Sequence, residues 1–447
     1  MRLREIDNKK NAHGKNLIYL KNGSNTNSIG EERRTPSFRG KTEGETNKRF
    51  IILKKLNFII KIIFLFFLLV FLDKSIQAKG DKKPGNYSLN GHIETLETVW
   101  IKDFKKKWLT MNTIKNRLDF RWYPTSFLTA HIGMRNIMNF GQMVGEYYPV
   151  FADYAIIDNG YLDLTRLIAK DTSIFIYSTF DRANLEFSKG NFEAKIGRQR
   201  INWGINLVWT PNDIFNTFNY FDFDYIERPG CDAIKIQYYT GMTSSAQLAY
   251  KINKENKVTF AGLYKFNKWN YDFQFLAGVM EDDIVLGTGW SGQIKGAGFN
   301  GEATYFHSKE NFSDSTGVLI ASAGINYTFK NSLYIHAAFL FNSDGTTGPA
   351  SMGSILALQT TISAKNYTRA KYSTFGEISY PITPLIKANF SGMFNPNDKS
   401  AYIGPSLDFS LTENIGFLLI GQIFLGDTDT EFGDYGKMFY MRLKLSF

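Results

Sequence analysis

Gly287-Thr-Gly-Trp-Ser-Gly292 has the glycine spacing of a dinucleotide-binding turn. That chemistry needs a strand before the glycines and a helix after them, so that helix amides hold a pyrophosphate. Here the pattern runs straight into Ile294 and another alternating segment, which makes these glycines the thin places of a crowded wall. After residue 78 the histidines are His92, His131, His307 and His336, and none stands in a metal-ligand spacing such as H-E-x-x-H. No G-x-S-x-G elbow is present, so a Ser/His hydrolase would have to assemble its pair from distant strands. Cys231 is the single cysteine, which excludes an intramolecular disulfide framework, and it reads as a small residue at a strand start. The sequence calls for no metal and no cofactor, and the reading is non-enzymatic.

The remaining candidates are charges on an aromatic excursion. Residues 201–230 carry Asp213, Asp222, Asp224, Glu227 and Arg228 among Trp203, Trp209, Phe215, Phe218, Tyr220, Phe221, Phe223 and Tyr225, and Arg198 and Arg200 stand at the root. Both flanks of this excursion alternate. Phe192, Ala194 and Ile196, then Ile234, Ile236 and Tyr238, share one side, while Glu193, Lys195, Lys235 and Gln237 share the other. Alternation of this kind builds a sheet with one apolar and one charged face.

The net charge of +10 resembles a nucleic-acid signal until it is divided along the chain. Residues 1–78 hold 16 Lys and Arg against 7 Asp and Glu, which leaves 36 against 35 in the remaining 369 residues. No nucleic-acid partner follows from that balance. Residues 1–50 are polar and without hydrophobic period, hence disordered. Residues 51–78 bring Lys54, Lys55 and Lys61, the apolar run Ile62–Leu72, and Ser75-Ile-Gln-Ala78. An apolar run this short after a basic region reads as a secretory signal cut after Ala78, because a spanning helix needs about 20 residues.

From residue 79 to 447 the sequence predicts one all-β domain. Alternating segments fall near 87–96, 112–122, 127–138, 174–187, 191–200, 231–240, 244–252, 257–266, 269–280, 286–294, 297–307, 318–329, 332–342, 371–380, 385–394, 400–411, 415–425 and 436–447, eighteen in all, with sixteen as the smaller alternative. Their connections alternate in length. Tight ones such as 188–190, 267–268 and 295–296 lie between longer ones at 97–111, 139–173, 201–230, 308–317, 343–370 and 426–435. Short turns at one end and long loops at the other describe a transmembrane antiparallel β-barrel, with periplasmic turns and extracellular loops. A short helix over 351–365 is expected in one long loop, since its apolar residues do not alternate.

The last strand places Phe439, Met441, Leu443, Leu445 and Phe447 on one face. This ending resembles the terminal signal of bacterial outer-membrane barrels, which implies that Phe447 is read by the barrel-assembly machinery. The block Ile196–Gly204, with Trp209–Phe215 and Glu227–Ala233, resembles porin-like outer-membrane barrels of Gram-negative bacteria, a group that shades into polysaccharide-export barrels. The resemblance implies residence in outer-membrane lipid, with 201–230 as a third external loop that narrows the lumen; a loop packed over the mouth is the alternative.

The expected function is passive diffusion of small hydrophilic solutes, against a non-conducting structural or export barrel; self-association is left open. On this register the inner face takes Lys115, Arg117, Arg121, Arg135, Lys195, Lys235, Lys251, Lys265, Lys387, Arg442 and Lys444, against Asp119, Glu193, Asp272, Glu302, Glu377 and Asp408. That excess predicts a weak anion preference. One difficulty stands out. Strict alternation beyond Ile196 turns Arg198 and Arg200 toward lipid, where arginine costs about 2 to 4 kcal/mol. Either a bulge at Gly197 reverses the register or the strand has already left the hydrocarbon.

Overall fold

A computed structural model describes residues 85–102, 108–148, 150–310, 312–314, 316–353 and 362–447. The expected leader and signal lie outside the described residues, as does most of the helix expected over 351–365, whose described ends are not helical. The strands are β1 (Tyr87–Ile101), β2 (Leu109–Thr125), β3 (Leu128–Gly141), β4 (Thr165–Asp171), β5 (Ile174–Lys189), β6 (Phe192–Gln199), β7 (Cys231–Tyr239), β8 (Ser245–Ile252), β9 (Val258–Lys268) and β10 (Tyr271–Met280). They continue with β11 (Asp283–Ile294), β12 (Ala297–Ser308), β13 (Val318–Thr328), β14 (Tyr334–Asn342), β15 (Tyr372–Thr383), β16 (Ile386–Phe394), β17 (Ala401–Ser410), β18 (Ile415–Leu425) and β19 (Lys437–Ser446). Two short helices, Gln142–Tyr147 and Val150–Ala155, stand between β3 and β4.

All the sequential pairings are antiparallel, and the sheet closes because β1 pairs with both β2 and β19. At the seam, Gly91 and Phe447 exchange backbone hydrogen bonds of 2.9 Å in both directions. The Phe447 ring lies over Gly91, where a Cβ would stand 2.8 Å from it. Closure removes every edge of the circuit, which matters because the outside of the wall is apolar. Ile196, Leu248, Phe275, Leu286, Phe339 and Met441 are exposed on it. Near the short turns the exposed side chains become aromatic, with Trp122, Phe127, Trp269, Phe329 and Tyr380. An apolar belt ending in an aromatic girdle matches the chemistry of hydrocarbon and headgroup layers, so the fold is a membrane-spanning barrel.

Eighteen strands make the circuit, and β4 is an addition that alternation did not reveal within 139–173. β5 has 16 residues whereas β6 has only 8, because the chain leaves the wall after Gln199 to enter the lumen. β6 covers Ala183–Lys189 of β5, and β4 pairs with Ile174–Thr179 beyond it. β4 therefore occupies the line of wall that β6 vacates. It pairs the backbone groups of Ile174–Thr179 that β6 leaves without a partner on that side of β5.

The same segment answers the difficulty of Arg198 in a third way. Gly197 takes a φ of 112°, and a Cβ there would lie 2.2 Å from the Ala183 carbonyl. The pairing passes through it without a slip, so Arg198 stays opposite Asp232, on the outward side with Ile196 and Ile234. The charge is neutralised in place. Arg198 Nε donates to Asp232 Oδ1 at 2.6 Å, Nη1 to Asp158 Oδ2 at 3.0 Å, and Nη2 to the Leu162 carbonyl at 2.6 Å. Leu162 N donates to Asp232 Oδ2 at 2.8 Å, so the 158–162 segment covers the pair and leaves Arg198 4% exposed.

Candidate functional site

Strand pairing sets the inner face. The register that opposes Lys115 to Glu94, Arg117 to Arg135, Lys195 to Lys235 and Lys387 to Asp408 carries around the circuit and keeps one set of side chains turned inward. Inside this wall lies the loop of residues 200–230. Trp203, Asp213 and Phe215 are fully buried; Trp203 and Phe215 bond to the wall residues Gln247, Gln274 and Lys251, whereas Asp213 accepts the Trp203 amide within the loop. The loop folds into the barrel rather than packing over its mouth.

It meets the wall in three places. Its outgoing arm rests on the arc from β8 to β13. Trp203 Nε1 donates to Gln247 at 2.9 Å, Gln274 Nε2 donates to the Trp203 carbonyl at 2.8 Å, and Glu302 accepts the amides of Ile205, Asn206 and Asn212. Lys251 Nζ donates to the Phe215 carbonyl at 2.8 Å. Its apex packs rings on rings. Phe221 lies 4.9 Å from Tyr402 and 5.3 Å from Phe424, and Tyr220 lies 5.2 Å from Phe375. Gln422 Nε2 adds a hydrogen bond of 2.9 Å to the Phe221 carbonyl.

The return arm is held by charge. Asp224 pairs with Lys115 and lies 3.8 Å from Arg442, and Glu227 lies 3.8 Å from Arg117. Arg117 also binds Asp181 at 2.5 Å and Asp119 at 3.1 Å, and Tyr225 donates to Asp181 at 2.7 Å. Arg135 stacks over the Tyr225 ring at 3.5 Å. The carbonyls of Glu227 and Arg228 accept from Arg182. Arg228 itself lies over Phe218 at 3.9 Å and donates to the Asp222 carbonyl at 3.0 Å. Glu227 is held below its ordinary pKa, because its own backbone amide and Arg117 outweigh burial. Asp213 moves the other way, pushed up to about 6 by burial, against which the Trp203 amide, Arg200 and Lys251 act only in part.

Several wall charges are less free than counting suggested. Lys195 pairs with Glu186 at 2.5 Å and Lys235 with Glu193 at 3.0 Å. Lys265, Lys387 and Lys444 form no such pair among the described residues, and Arg200 is half-buried at the loop root. Arg198 stands apart from this cluster, on the outer side. Glu94, Asp181, Arg182 and Glu186 also join the inner network. The alternation of their strands was the signal that could have found Glu94, Arg182 and Glu186, whereas Asp181 turns inward beside Arg182 because the register slips there, between Gly133 and Met134 of the facing β3.

The geometry defines a class: a closed antiparallel membrane barrel of eighteen strands with an infolded loop, the architecture of porin-like outer-membrane proteins. No protein-family model matches the chain, and no curated protein matches it. Among solved structures it is similar to OccAB4 of Acinetobacter baumannii, with TM-score 0.51 and 8% identity over 82% of this chain and 100% of that one. It is also similar to the outer membrane protein opdK from Pseudomonas aeruginosa, with TM-score 0.51 and 9% identity over 80% and 98%. OccK11 (OpdR) of Pseudomonas aeruginosa gives TM-score 0.50 and 9% identity over 81% and 95%. At such identities the likeness carries the fold and nothing finer.

Proposed function

We propose that the chain is an outer-membrane channel for small hydrophilic solutes, with the loop of residues 200–230 as its constriction. The observation that carries this reading is the infolded loop, tied by ion pairs to a charged inner wall inside an apolar belt. A structural barrel has no need to keep its inner face charged, whereas a water-filled lumen of eighteen strands does. We assign the lumen a weak anion preference, carried by Lys265, Lys387 and Lys444 rather than by Lys115, Arg117, Lys195, Lys235 and Arg442, whose charges are neutralised by carboxylates. Outer-membrane lipid surrounds the belt, and the barrel-assembly machinery reads the end at Phe447.

A second reading is favoured by the apex. Tyr220 and Phe221 pack into Phe375, Tyr402 and Phe424 as a dry aromatic cluster, which suits a plugged, non-conducting barrel. Planar-bilayer recording separates the two. Folded protein that carries no current supports the plug. For a conducting protein, reversal potential in a salt gradient should show anion preference, and Lys265→Glu with Lys387→Glu should shift it toward cations. A wild-type preference for cations would refute the assignment.

A further inference from the structure

We infer that Glu302 is the positioning residue that holds the loop in the lumen and so sets the cross-section of the pore; this rests on the loop being the constriction. Glu302 is 1% exposed, on β12. Its Oε1 accepts the amides of Ile205 and Asn206, the latter at 2.6 Å, and its Oε2 accepts that of Asn212 at 2.8 Å. All three donors are neutral, and all belong to one stretch of the outgoing arm. A carboxylate that accepts several amides is a strong fixed point, since charge-assisted bonds are about twice as strong as neutral ones.

The wall around Glu302 is shaped for that stretch. Gly289 lies opposite Glu302 on β11, and Gly287 lies opposite Thr304. A Cβ on Gly287 would stand 2.6 Å from Asn212 Oδ1, and one on Gly289 would stand 3.0 Å from Ile205 Cδ1 and from Asn212 Nδ2. Thr304 Oγ1 donates to Asn212 Oδ1 at 2.7 Å, and Asn212 Nδ2 donates to the Thr288 carbonyl at 3.0 Å. Asn300 Nδ2 donates to Asn206 Oδ1 at 2.7 Å. Glycines with dinucleotide-like spacing thus form the floor of a seat, and Glu302 is its anchor. Of these groups around Ile205–Asn212 only Glu302 is charged, so its loss removes the charge-assisted part of the seat.

The test uses the full chain, refolded or purified as a barrel. Glu302→Gln keeps the shape but replaces one acceptor with an NH2 group that opposes the loop amides. Hydrogen exchange at Ile205, Asn206 and Asn212 should accelerate at least about tenfold, the equivalent of losing one hydrogen bond to a charged group. Single-channel conductance should rise or become noisy, with heat-modifiable gel mobility unchanged. A disulfide engineered between positions 206 and 300, by Asn206→Cys and Asn300→Cys in a Cys231→Ala background, should restore quiet wild-type conductance to Glu302→Gln. If Glu302→Gln fails to fold, Thr304→Val weakens the same seat and should raise exchange at Asn212 about threefold. Unchanged exchange and conductance in folded Glu302→Gln would overturn the assignment. A wild type without current, whose outgoing arm still loosens in Glu302→Gln, would overturn the channel reading and leave the anchor standing.

Discussion

Between Ile205 and Asn212 the loop meets the wall through backbone amides, glycines and one carboxylate, whereas between Asp224 and Arg228 it meets the wall through full charges on both sides. The outgoing arm depends on shape. Between Ile205 and Asn212 its wall contacts are made by neutral groups apart from Glu302. The return arm depends on balance: Arg117 is shared by Asp119, Asp181 and Glu227, so removing it takes a cation from three carboxylates at once. Two ways of fixing one loop therefore predict two ways of releasing it.

The largest effect should come from the return arm. Arg117 is 5% exposed and Asp181 4%, which makes theirs a buried pair. Arg117→Ala leaves the buried Asp181 with only the Tyr225 hydroxyl and the more distant Arg182, 3.9 Å away, and breaking a buried pair costs up to about 3 to 5 kcal/mol. Urea or thermal unfolding followed by gel mobility should show that loss. The double variant Arg117→Ala with Asp181→Ala should recover part of it, because the most deeply buried of the three carboxylates that Arg117 served is then gone, while Asp119 and Glu227 are more exposed. Equal losses in the single and double variants would mean that the pair acts through packing alone.

The outgoing arm should respond to pH with a smaller effect. Burial raises Asp213 from 3.8 to about 6. A carboxylate with a raised pKa in the folded state binds protons that the unfolded chain releases, so stability falls as pH rises from about 4 to about 6 and stays lower above it. Asp213→Asn removes that penalty. It should stabilise the seated loop by roughly 2 kcal/mol at pH 8 and by little at pH 4, within the bound set by the shift. Hydrogen exchange in the outgoing arm, variant against wild type at each of the two pH values, measures it, and a gain that is the same at both would show that ionisation of Asp213 is not the cause.

This contrast between arms also marks what the sequence discloses. Alternation is a local, two-residue signal, so eighteen strands and the shared face of Lys195, Lys235, Glu193 and Gln237 can be read without knowing which strand neighbours which. β4 could not be read that way. Thr165–Asp171 forms a strand because β6 has left the wall beside β5, and that departure is a property of another segment. Arg198 is similar: alternation aimed it outward, but only the fold brings Asp158 and Leu162 across it. The excess of eleven basic over six acidic residues could be counted, yet its consequence depended on Glu94, Asp181, Glu186 and the loop carboxylates as partners. Glu302 entered that count as a lumen charge. Its contact with amides nearly a hundred positions away turns it into an anchor instead.

The smallest effect, and the one that most directly separates the arms, is the response to salt. At 0.1 M ionic strength the screening length is about 10 Å and at 1 M about 3 Å, so charge pairs weaken while amide contacts do not. The return arm's pairs are mostly shielded from water, with Lys115 at 13% and Asp224 at 11%, which limits the effect. A change of at most about 1 kcal/mol corresponds to roughly fivefold faster hydrogen exchange. That acceleration should appear at Asp224–Arg228 in 1 M salt and be absent at Ile205–Asn212 in the same sample. Lys115→Met should abolish most of the salt response without altering the outgoing arm, because it removes the cation that Asp224 approaches most closely. Equal acceleration in both arms would mean that the loop opens as one unit, and the distinction between an amide-held and a charge-held arm would then fail.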